Sequence, residues 1–279
     1  TKTFMRYKTL FFLLTFVWTA LSVTGKQRDF VLQSGIPVPI ACNSSEEQVV
    51  HTALELLRRD LQTVLSATAK VETNTGTILI GTAGRSELID QSGVDTSVLK
   101  GKKQAFLLTV SPEGKLIVAA SDGHGTAYGI LEISRLLGVS PWEWWADVTP
   151  EKKKLFKLSS KFRSVQSPSV EYRGIFINDE DWGLMPWSNK TYEPSDVNGE
   201  IGPRTNERIF ELLLRLRANT YWPAMHECTL PFFLTKGNRE VAKKYGIFMG
   251  ASHCEPMACS AAGEWRRRGN GAYDYVNNS

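Results

Sequence analysis

The chain has 279 residues, of which 42% are hydrophobic and 22% are charged, and its formal net charge is +4. This composition excludes a disordered or fibrous protein, and it is sufficient for two domains of ordinary size or for one large α/β domain. The charge is small for this length and the basic residues are scattered, so we expect no nucleic-acid partner.

The first 25 residues predict a secretory signal peptide. Lys2, Arg6 and Lys8 precede an apolar run over residues 10–21, and small residues follow up to Gly25. A membrane anchor is the alternative, but a span needs roughly 20 apolar residues. We therefore expect an exported protein, periplasmic or extracellular, that has no membrane partner after signal cleavage.

Residues 26–165 have the pattern of a small α/β domain with a mixed sheet. Ser44 and Glu47 have the spacing of a capping box and predict the start of a helix. An apolar residue then recurs every three or four positions and gives this helix one apolar face, made by Val50, Leu54, Leu57, Leu61 and Leu65. The elements that follow are a buried strand at 77–83, a hairpin at 104–121 that turns at Pro112-Glu113-Gly114, and a helix at 122–138. A charged connector containing Ser and Pro, at 149–169, places the domain boundary near residue 165.

From Tyr172 onward the pattern changes to a repeat of strand, loop and helix. The predicted strands cover 172–178, 219–225 and 247–252, and the predicted helices cover 203–219 and 238–246. This spacing indicates parallel strands with right-handed crossovers. Either a Rossmann-type sheet or the start of a (β/α)8 barrel would produce it.

The three predicted strands end in chemically similar segments. These are "NDEDW" at 178–182, "MHEC" at 225–228 and "SHCE" at 252–255. The carboxyl ends of parallel strands meet at one edge, where the active sites of such folds lie. An isolated acidic triplet is more often a solvated loop, and a lone histidine is more often structural. Their coincidence at three successive strand ends favours a shared functional site.

Aromatic residues near these segments favour a carbohydrate ligand, because aromatic faces stack on sugar C–H groups while polar side chains bind the hydroxyls. The candidate platforms are Trp182, Trp187, Tyr192, Trp222 and Trp265. We expect Trp142, Trp144 and Trp145 to serve ordinary packing instead. A glycoside hydrolase would also need two facing carboxyl groups, one protonated and one ionised.

A metal site is the main alternative at the same strand ends. His226, Glu227, His253 and Glu255 are residue types that bind zinc, and three ligands with an open position would make a catalytic centre. The sequence lacks the H-E-x-x-H spacing. The four cysteines do not form paired C-x-x-C units, so buried free thiols are the expectation. We expect neither a metal nor a cofactor.

Three segments together resemble glycoside hydrolase family 115, the xylan α-1,2-glucuronidases. They are "YRGIFINDEDWGL", "NTYWPAMHECTLPFF" and "YGIFMGASHCEPM", in this order and with family-like spacing. The resemblance extends more loosely back through "DGHGTAYGILEISRLLGVSPWEWWADV". It implies an N-terminal α/β domain over 26–165, followed at 166–279 by the first three β/α units of a TIM-type (β/α)8 barrel.

The resemblance also implies a function for the parent protein, which would remove glucuronic acid or its 4-O-methyl ether from xylan with inversion and without a metal. Xylan or glucuronoxylan is then the expected partner, and the parent is expected to be a homodimer. The residues implied to bind substrate are Asn178, Asp179, Glu180, Trp222, His226, His253 and Glu255. A carbohydrate-binding relative without catalysis is the alternative.

In the family, the catalytic acid and base come from later barrel strands, so the resemblance places them beyond Ser279. The chain as given is therefore expected to be inactive. It is also expected to fold poorly past residue 165, because three β/α units leave an open parallel sheet with an unpaired edge and exposed apolar faces.

Overall fold

A computed structural model describes residues 27–178, 180–253, 258–259, 263–269, 271–274 and 276–278. The predicted signal peptide at 1–25 lies outside this part of the chain. The strands, in chain order, are β1 Phe30–Gln33, β2 Val38–Cys42, β3 Ala69–Glu72, β4 Ile78–Thr82, β5 Phe106–Val110, β6 Leu116–Ala120, β7 Leu155–Leu158, β8 Arg163–Gln166, β9 Gly174–Phe176, β10 Thr220–Trp222 and β11 Phe248–Met249. The α-helices are α1 Gln48–Leu65, α2 Glu87–Gln91, α3 Gly123–Leu137, α4 Met185–Trp187, α5 Pro203–Arg215, α6 Asn238–Lys244 and α7 Glu264–Arg267.

The first half of the chain forms a six-stranded mixed sheet in the order β3-β2-β4-β6-β5-β8. Strands β2, β3, β4 and β6 run parallel, whereas β5 is antiparallel to both β6 and β8. Every residue of β4 and β6 is buried, as expected for central strands covered on both faces. The predicted mixed α/β architecture is therefore confirmed.

Helices α1 and α3 pack on one face of this sheet. Their leucines, isoleucines and valines share a core with β2, β4 and β6. The other face carries a smaller apolar cluster that includes Ile89 of α2 and Leu99 of a 3-10 turn. The repeat of apolar residues at three or four positions in α1 had predicted this one-sided burial.

Helix α1 is present, but the prediction of a capping box at its start is wrong. Glu47 occupies the N-cap position, but no side-chain cap is made there. The carboxylate of Glu47 instead accepts a hydrogen bond of 2.8 Å from Arg85 Nη1. The neighbouring Glu46 accepts one of 2.8 Å from the Thr82 amide. Tertiary contacts with the end of β4 and the turn that follows it therefore engage both acidic side chains before α1.

Helix α3 begins and ends as its sequence predicts. The Asp122 carboxylate accepts hydrogen bonds from the amides of Gly125, at 2.8 Å, and Gln104, at 2.6 Å. The helix stops at Gly138, whose φ of 96° lies in the left-handed region that glycine adopts without strain. The predicted hairpin is also present, because β5 and β6 pair antiparallel around the turn.

The second half of the chain forms a three-stranded sheet in the order β11-β10-β9, with all strands parallel. The predicted β-α alternation is therefore confirmed for these elements. Helix α5 packs on one face through Phe210, which contacts Tyr221 at a ring distance of 5.2 Å. Tyr221 is fully buried in this layer, and burial raises the pKa of its hydroxyl.

The two halves share one hydrophobic core. Helices α5 and α6 pack against α3 and α1, so that residues such as Phe210 and Tyr245 belong to the same buried cluster as Leu57 and Ile130. The order of layers is therefore the six-stranded sheet, helices α1 and α3, helices α5 and α6, and the three-stranded sheet. The sequence had placed a boundary near residue 165, and the core continues across that position.

A buried ion network reinforces this junction between α1 and α5. Arg215, 4% exposed, binds Asp60 at 2.8 Å and Glu211 at 3.0 Å. Arg59 also contacts Glu211. Burial raises the pKa of Glu211, but the hydrogen bond from Arg59 and the nearby arginine charges outweigh it, so the net pKa is below its usual value.

The opposite face of the three-stranded sheet is open. Within the described residues, β9 and β11 each pair with β10 alone. Large apolar side chains are exposed there, among them Tyr172 at 57%, Trp222 at 40% and Phe248 at 44%. Open edges and exposed apolar faces are what the sequence had predicted. Among the described helices, none combines the length and apolar character that a membrane span requires.

Candidate functional site

Parallel pairing brings the ends of β9, β10 and β11 to one edge of the sheet. Thr220 of β10 is aligned with both Gly174 of β9 and Phe248 of β11. Asn178 follows β9 and is exposed, His226 follows β10 and is exposed, and His253 follows β11 and is exposed. Three of the residues proposed from the sequence thus lie just beyond neighbouring strand ends.

An aromatic cluster marks this edge. The Phe176 ring meets the Trp222 indole at 6.1 Å between centroids, and it lies 6.3 Å from the His253 imidazole. The hydroxyl of Ser252 is within hydrogen-bond distance of His253 Nδ1. Phe176 therefore joins Trp222 and His253, which the sequence could identify only as separate candidates.

A cleft of about 340 Å³ runs beside these rings. It is lined by Tyr172, Gly174, Ile175, Phe176, Thr220 and Trp222. The cleft is open and largely apolar, and Asn178 follows β9, the strand whose three residues line it. Aromatic walls with polar groups at one end suit a sugar ring, whose C–H faces stack while its hydroxyls form hydrogen bonds.

Gly250 allows Trp222 to occupy its position. A methyl group at residue 250 would lie 2.0 Å from the indole Nε1 of Trp222, far inside van der Waals contact. Gly250 is not among the glycines with positive φ, so its backbone does not itself require glycine. The requirement comes from the close approach of the indole to the main chain after β11.

His226 lies in a different group at the same edge. Its Nδ1 is 3.4 Å from Cys228 Sγ, and a carboxylate oxygen of Asp181 completes a set of three atoms that lie within 4.8 Å of one another. Glu227, which the metal alternative had included, directs its carboxylate towards Arg266 at 3.4 Å. Among the described residues, this group therefore shares only His226 with the four residues proposed from the sequence, of which Glu255 lies outside the description.

Three of the predicted site residues cannot be placed as side chains. Asp179 and Glu255 lie outside the described residues. Glu180 begins a π-helical turn, Glu180–Leu184, and its side chain also lies outside the description. Asp181 and Trp182 of the same turn are exposed, with Trp182 at 89%.

Two of the proposed aromatic platforms belong to a packing cluster. Trp187 stacks on Tyr192 at 4.9 Å, and both contact Trp144. The guanidinium of Arg208 lies 5.0 Å from the Trp144 ring centre. The prediction that Trp144 serves packing is confirmed, and the same role extends to Trp187 and Tyr192. Trp265 contacts Tyr273 at 5.2 Å, near the end of the chain.

Sequence reasoning missed three contributors to the site. Phe176 is one of several apolar residues in a strand, and Gly250 is one of 22 glycines, so neither has a distinctive local signal. Cys228 was expected to be a buried thiol, yet it is half-buried and beside His226. Its position two residues after a histidine was the available signal.

The segments at the strand ends lie in the part of the chain that matches a known protein family. Residues 165–279 match the sequence profile described as glycosyl hydrolase family 115. A solved structure described as a family GH115 4-O-methyl-α-glucuronidase with specificity for decorated arabinogalactans is 82% identical, with a TM-score of 0.88. The match covers 90% of this chain and 33% of that one, so the chain spans about a third of the length of this relative.

More distant structures share only the fold. The protein CpGH84D matches with a TM-score of 0.52 at 12% identity, over 81% of this chain and 35% of its own. A Streptomyces plicatus β-hexosaminidase matches with a TM-score of 0.51 at 11% identity, over 81% of this chain and 42% of its own. Among curated proteins, no sequence matches significantly. The sequence profile over residues 165–279 and the 82%-identical relative thus agree in pointing to glycosyl hydrolase family 115.

Proposed function

We propose that this chain is part of an α-glucuronidase, which hydrolyses the bond that links glucuronic acid or 4-O-methylglucuronic acid to a polysaccharide. The observation that carries the proposal is the 82% identity to the family GH115 4-O-methyl-α-glucuronidase over 90% of this chain. The strand-end segments and the aromatic cleft lie within residues 165–279, which match the family profile. The aromatic cleft is consistent with a sugar ligand.

Two polysaccharides are candidates for the substrate. The relative's specificity for decorated arabinogalactans favours that polymer. The resemblance of the three strand-end motifs to the xylan α-1,2-glucuronidases favours glucuronoxylan. We infer that decorated arabinogalactan is the first substrate to test, because identity with the relative is high across most of the chain, and that glucuronoxylan is the second.

The proposed substrate-binding residues are those at the strand ends. Trp222 and Phe176 would stack on the sugar ring, and Asn178 and His253 would bind its polar groups. Asp179, Glu180, His226 and Glu255 remain in the proposed set on the motif match. Inverting hydrolysis needs an acid and a base about 6.5–9.5 Å apart. We propose that both come from outside these 279 residues and that this chain alone is inactive.

We also propose the domain organisation, export and oligomeric state of the full-length protein. The open sheet β9-β10-β11 would be the first part of a (β/α)8 barrel over 166–279, which further strands would close, after an N-terminal α/β domain over 26–165. The basic and then apolar start of the chain favours a signal peptide and export. A homodimer is proposed from the family resemblance.

The test uses the full-length protein that carries this chain. It is incubated with decorated arabinogalactan and with glucuronoxylan, each with and without EDTA, and the released sugar is followed by NMR. We expect release of 4-O-methylglucuronic acid, with the β-anomer appearing first from an α-linkage, and no effect of EDTA. The preferred polymer is the one that gives the higher initial rate.

The outcomes separate the alternatives. Binding of polysaccharide without release of sugar would identify a carbohydrate-binding relative and contradict the catalytic proposal. Loss of activity in EDTA, restored by a metal ion, would identify a metal-dependent hydrolase. First appearance of the α-anomer would contradict inversion while leaving the glucuronidase proposal intact.

A further inference from the structure

Three metal-ligating side chains meet at the carboxyl ends of β9 and β10. Asp181 belongs to the π-helical turn after β9, and His226 and Cys228 belong to the loop after β10. One ligand atom from each lies within 4.8 Å of the other two. Because β9 and β10 are neighbouring parallel strands, the fold itself brings these two loops together.

The loop after β10 directs two of the three side chains towards the same point. A hydrogen bond of 3.0 Å from the Thr229 amide to the His226 carbonyl closes a turn. Within it, His226 Nδ1 and Cys228 Sγ are 3.4 Å apart, whereas Glu227 between them reaches Arg266 instead. Because Glu227 points away from its two neighbours, the His226 imidazole and the Cys228 thiol lie side by side.

The spacing matches a tetrahedral metal ion. Zinc binds sulfur at about 2.3 Å, imidazole nitrogen at about 2.0–2.1 Å and carboxylate oxygen at about 2.0–2.2 Å. Tetrahedral geometry then separates the ligand atoms by about 3.3–3.6 Å. The pair of His226 and Cys228 already has this separation, and small rotations of the exposed Asp181 side chain would bring its oxygen to the same distance.

The ligand types select the class of ion. A thiolate and an imidazole favour zinc and similar transition metals over magnesium or calcium, which prefer oxygen ligands. One thiolate and one carboxylate also balance the charge of a divalent cation. Asp181 and His226 are exposed and Cys228 is half-buried, so the ion can reach the site from solvent.

We propose that Asp181, His226 and Cys228 bind a divalent transition-metal ion, with Zn²⁺ as the best match, at the carboxyl edge of the three-stranded sheet. The three side chains leave one tetrahedral position for water or another ligand. The site goes beyond the proposed glucuronidase activity, for which we propose no metal, and it assigns His226 to the ion instead of the sugar. Cys42 does not compete for the ion, because burial raises the pKa of its thiol to about 12.

Zinc binding is tested on the full-length protein, reduced and then freed of metal with a chelator. Calorimetric titration with Zn²⁺ is expected to show one high-affinity ion that depends on this site, and Co²⁺ in its place should show a sulfur-to-metal charge-transfer band. Cys228→Ser should abolish that band. Cys228→Ser, His226→Gln and Asp181→Asn should each weaken Zn²⁺ binding at least about tenfold.

Cys259→Ser is the matched control, since it removes another half-buried thiol and should leave zinc binding unchanged. All three ligands lie on loops or a short turn, and unchanged circular dichroism and melting temperature confirm that each variant folds. Zinc binding of wild-type strength in any of the three ligand variants would overturn the site. This readout is metal binding and not sugar release, so its failure leaves the glucuronidase proposal standing.

Discussion

At the scale of single residues, the position of Trp222 depends on a neighbour that lacks a side chain. The indole lies against the main chain at Gly250, where any Cβ would come within 2.0 Å of Nε1. Phe176 supports the indole from the adjacent strand. The orientation of the proposed sugar platform is therefore set by three strands, although one residue supplies the ring.

Gly250→Ala should displace the Trp222 indole and weaken substrate binding. Loss of one stacking contact costs about 0.5–1.5 kcal/mol, so we expect KM to rise roughly 2–10-fold with a smaller change in kcat. The measurement is steady-state kinetics of the full-length enzyme on its preferred polysaccharide.

The Trp222→Ala background is the control for this effect. If Gly250 acts through the indole, adding Gly250→Ala to Trp222→Ala should change KM little further, because the two substitutions remove the same contact. Additive effects of the two substitutions would contradict the positioning role and indicate a separate disturbance of the loop after β11.

At the scale of elements, the starts of α1 and α3 differ in a way that their sequences do not show. Both sequences offer an acidic or hydroxyl side chain at a suitable position. Asp122 caps α3 and also binds the Gln104 amide, whereas Glu46 binds the last residue of β4 and Glu47 binds Arg85 in the turn after it. A capping pattern predicts a helix start more reliably than it predicts the cap contact itself.

Asp122→Ala should destabilise the protein by about 1–2 kcal/mol, the cost of losing an N-cap. We expect the upper end of this range, because the Gln104 amide loses its acceptor as well. The measurement is the free energy of unfolding from urea denaturation. Asp95→Ala is the control, because Asp95 is exposed and binds the Ser97 amide beside a short 3-10 turn. A loss at Asp122 no greater than at Asp95 would contradict the capping role.

At the scale of the whole molecule, the six-stranded and the three-stranded sheet are held together by a shared core and a buried ion network. The side chain of Arg215 is 4% exposed and lies between Asp60 and Glu211, which are also buried. Such a network is costly to break, because removal of one partner leaves an uncompensated buried charge. It therefore ties α1 of the first half to α5 of the second.

Arg215→Met should lower the free energy of unfolding by about 3–5 kcal/mol, since Asp60 and Glu211 lose their shared cation. Arg58→Met is the matched control: Arg58 pairs with Glu55 on the surface, at 46% and 67% side-chain exposure, and we expect a loss of less than about 1 kcal/mol. Thermal or urea unfolding measures both. Equal losses in the two variants would show that the network does not stabilise the junction.

The sequence predicted the local elements well, but it did not predict the core that the two halves share. Apolar periodicity located α1 and α5, flanking glycines located α3, and turn residues located the hairpin between β5 and β6, because these signals depend on neighbours in the chain. The boundary near residue 165 was inferred from a polar connector. The core continues past it because helices from both halves have apolar faces that bury each other, which composition at one position cannot reveal.

For the candidate site, the sequence by itself determined which residue types stand at the strand ends. Parallel β/α connectivity implies that such ends meet, so Asn178, His226 and His253 could be proposed together. Only the tertiary structure decided their partners: Phe176 joins Trp222 to His253, and Cys228 and Asp181 join His226. Strand pairing and loop geometry fix these contacts, and they arise between segments far apart in the chain.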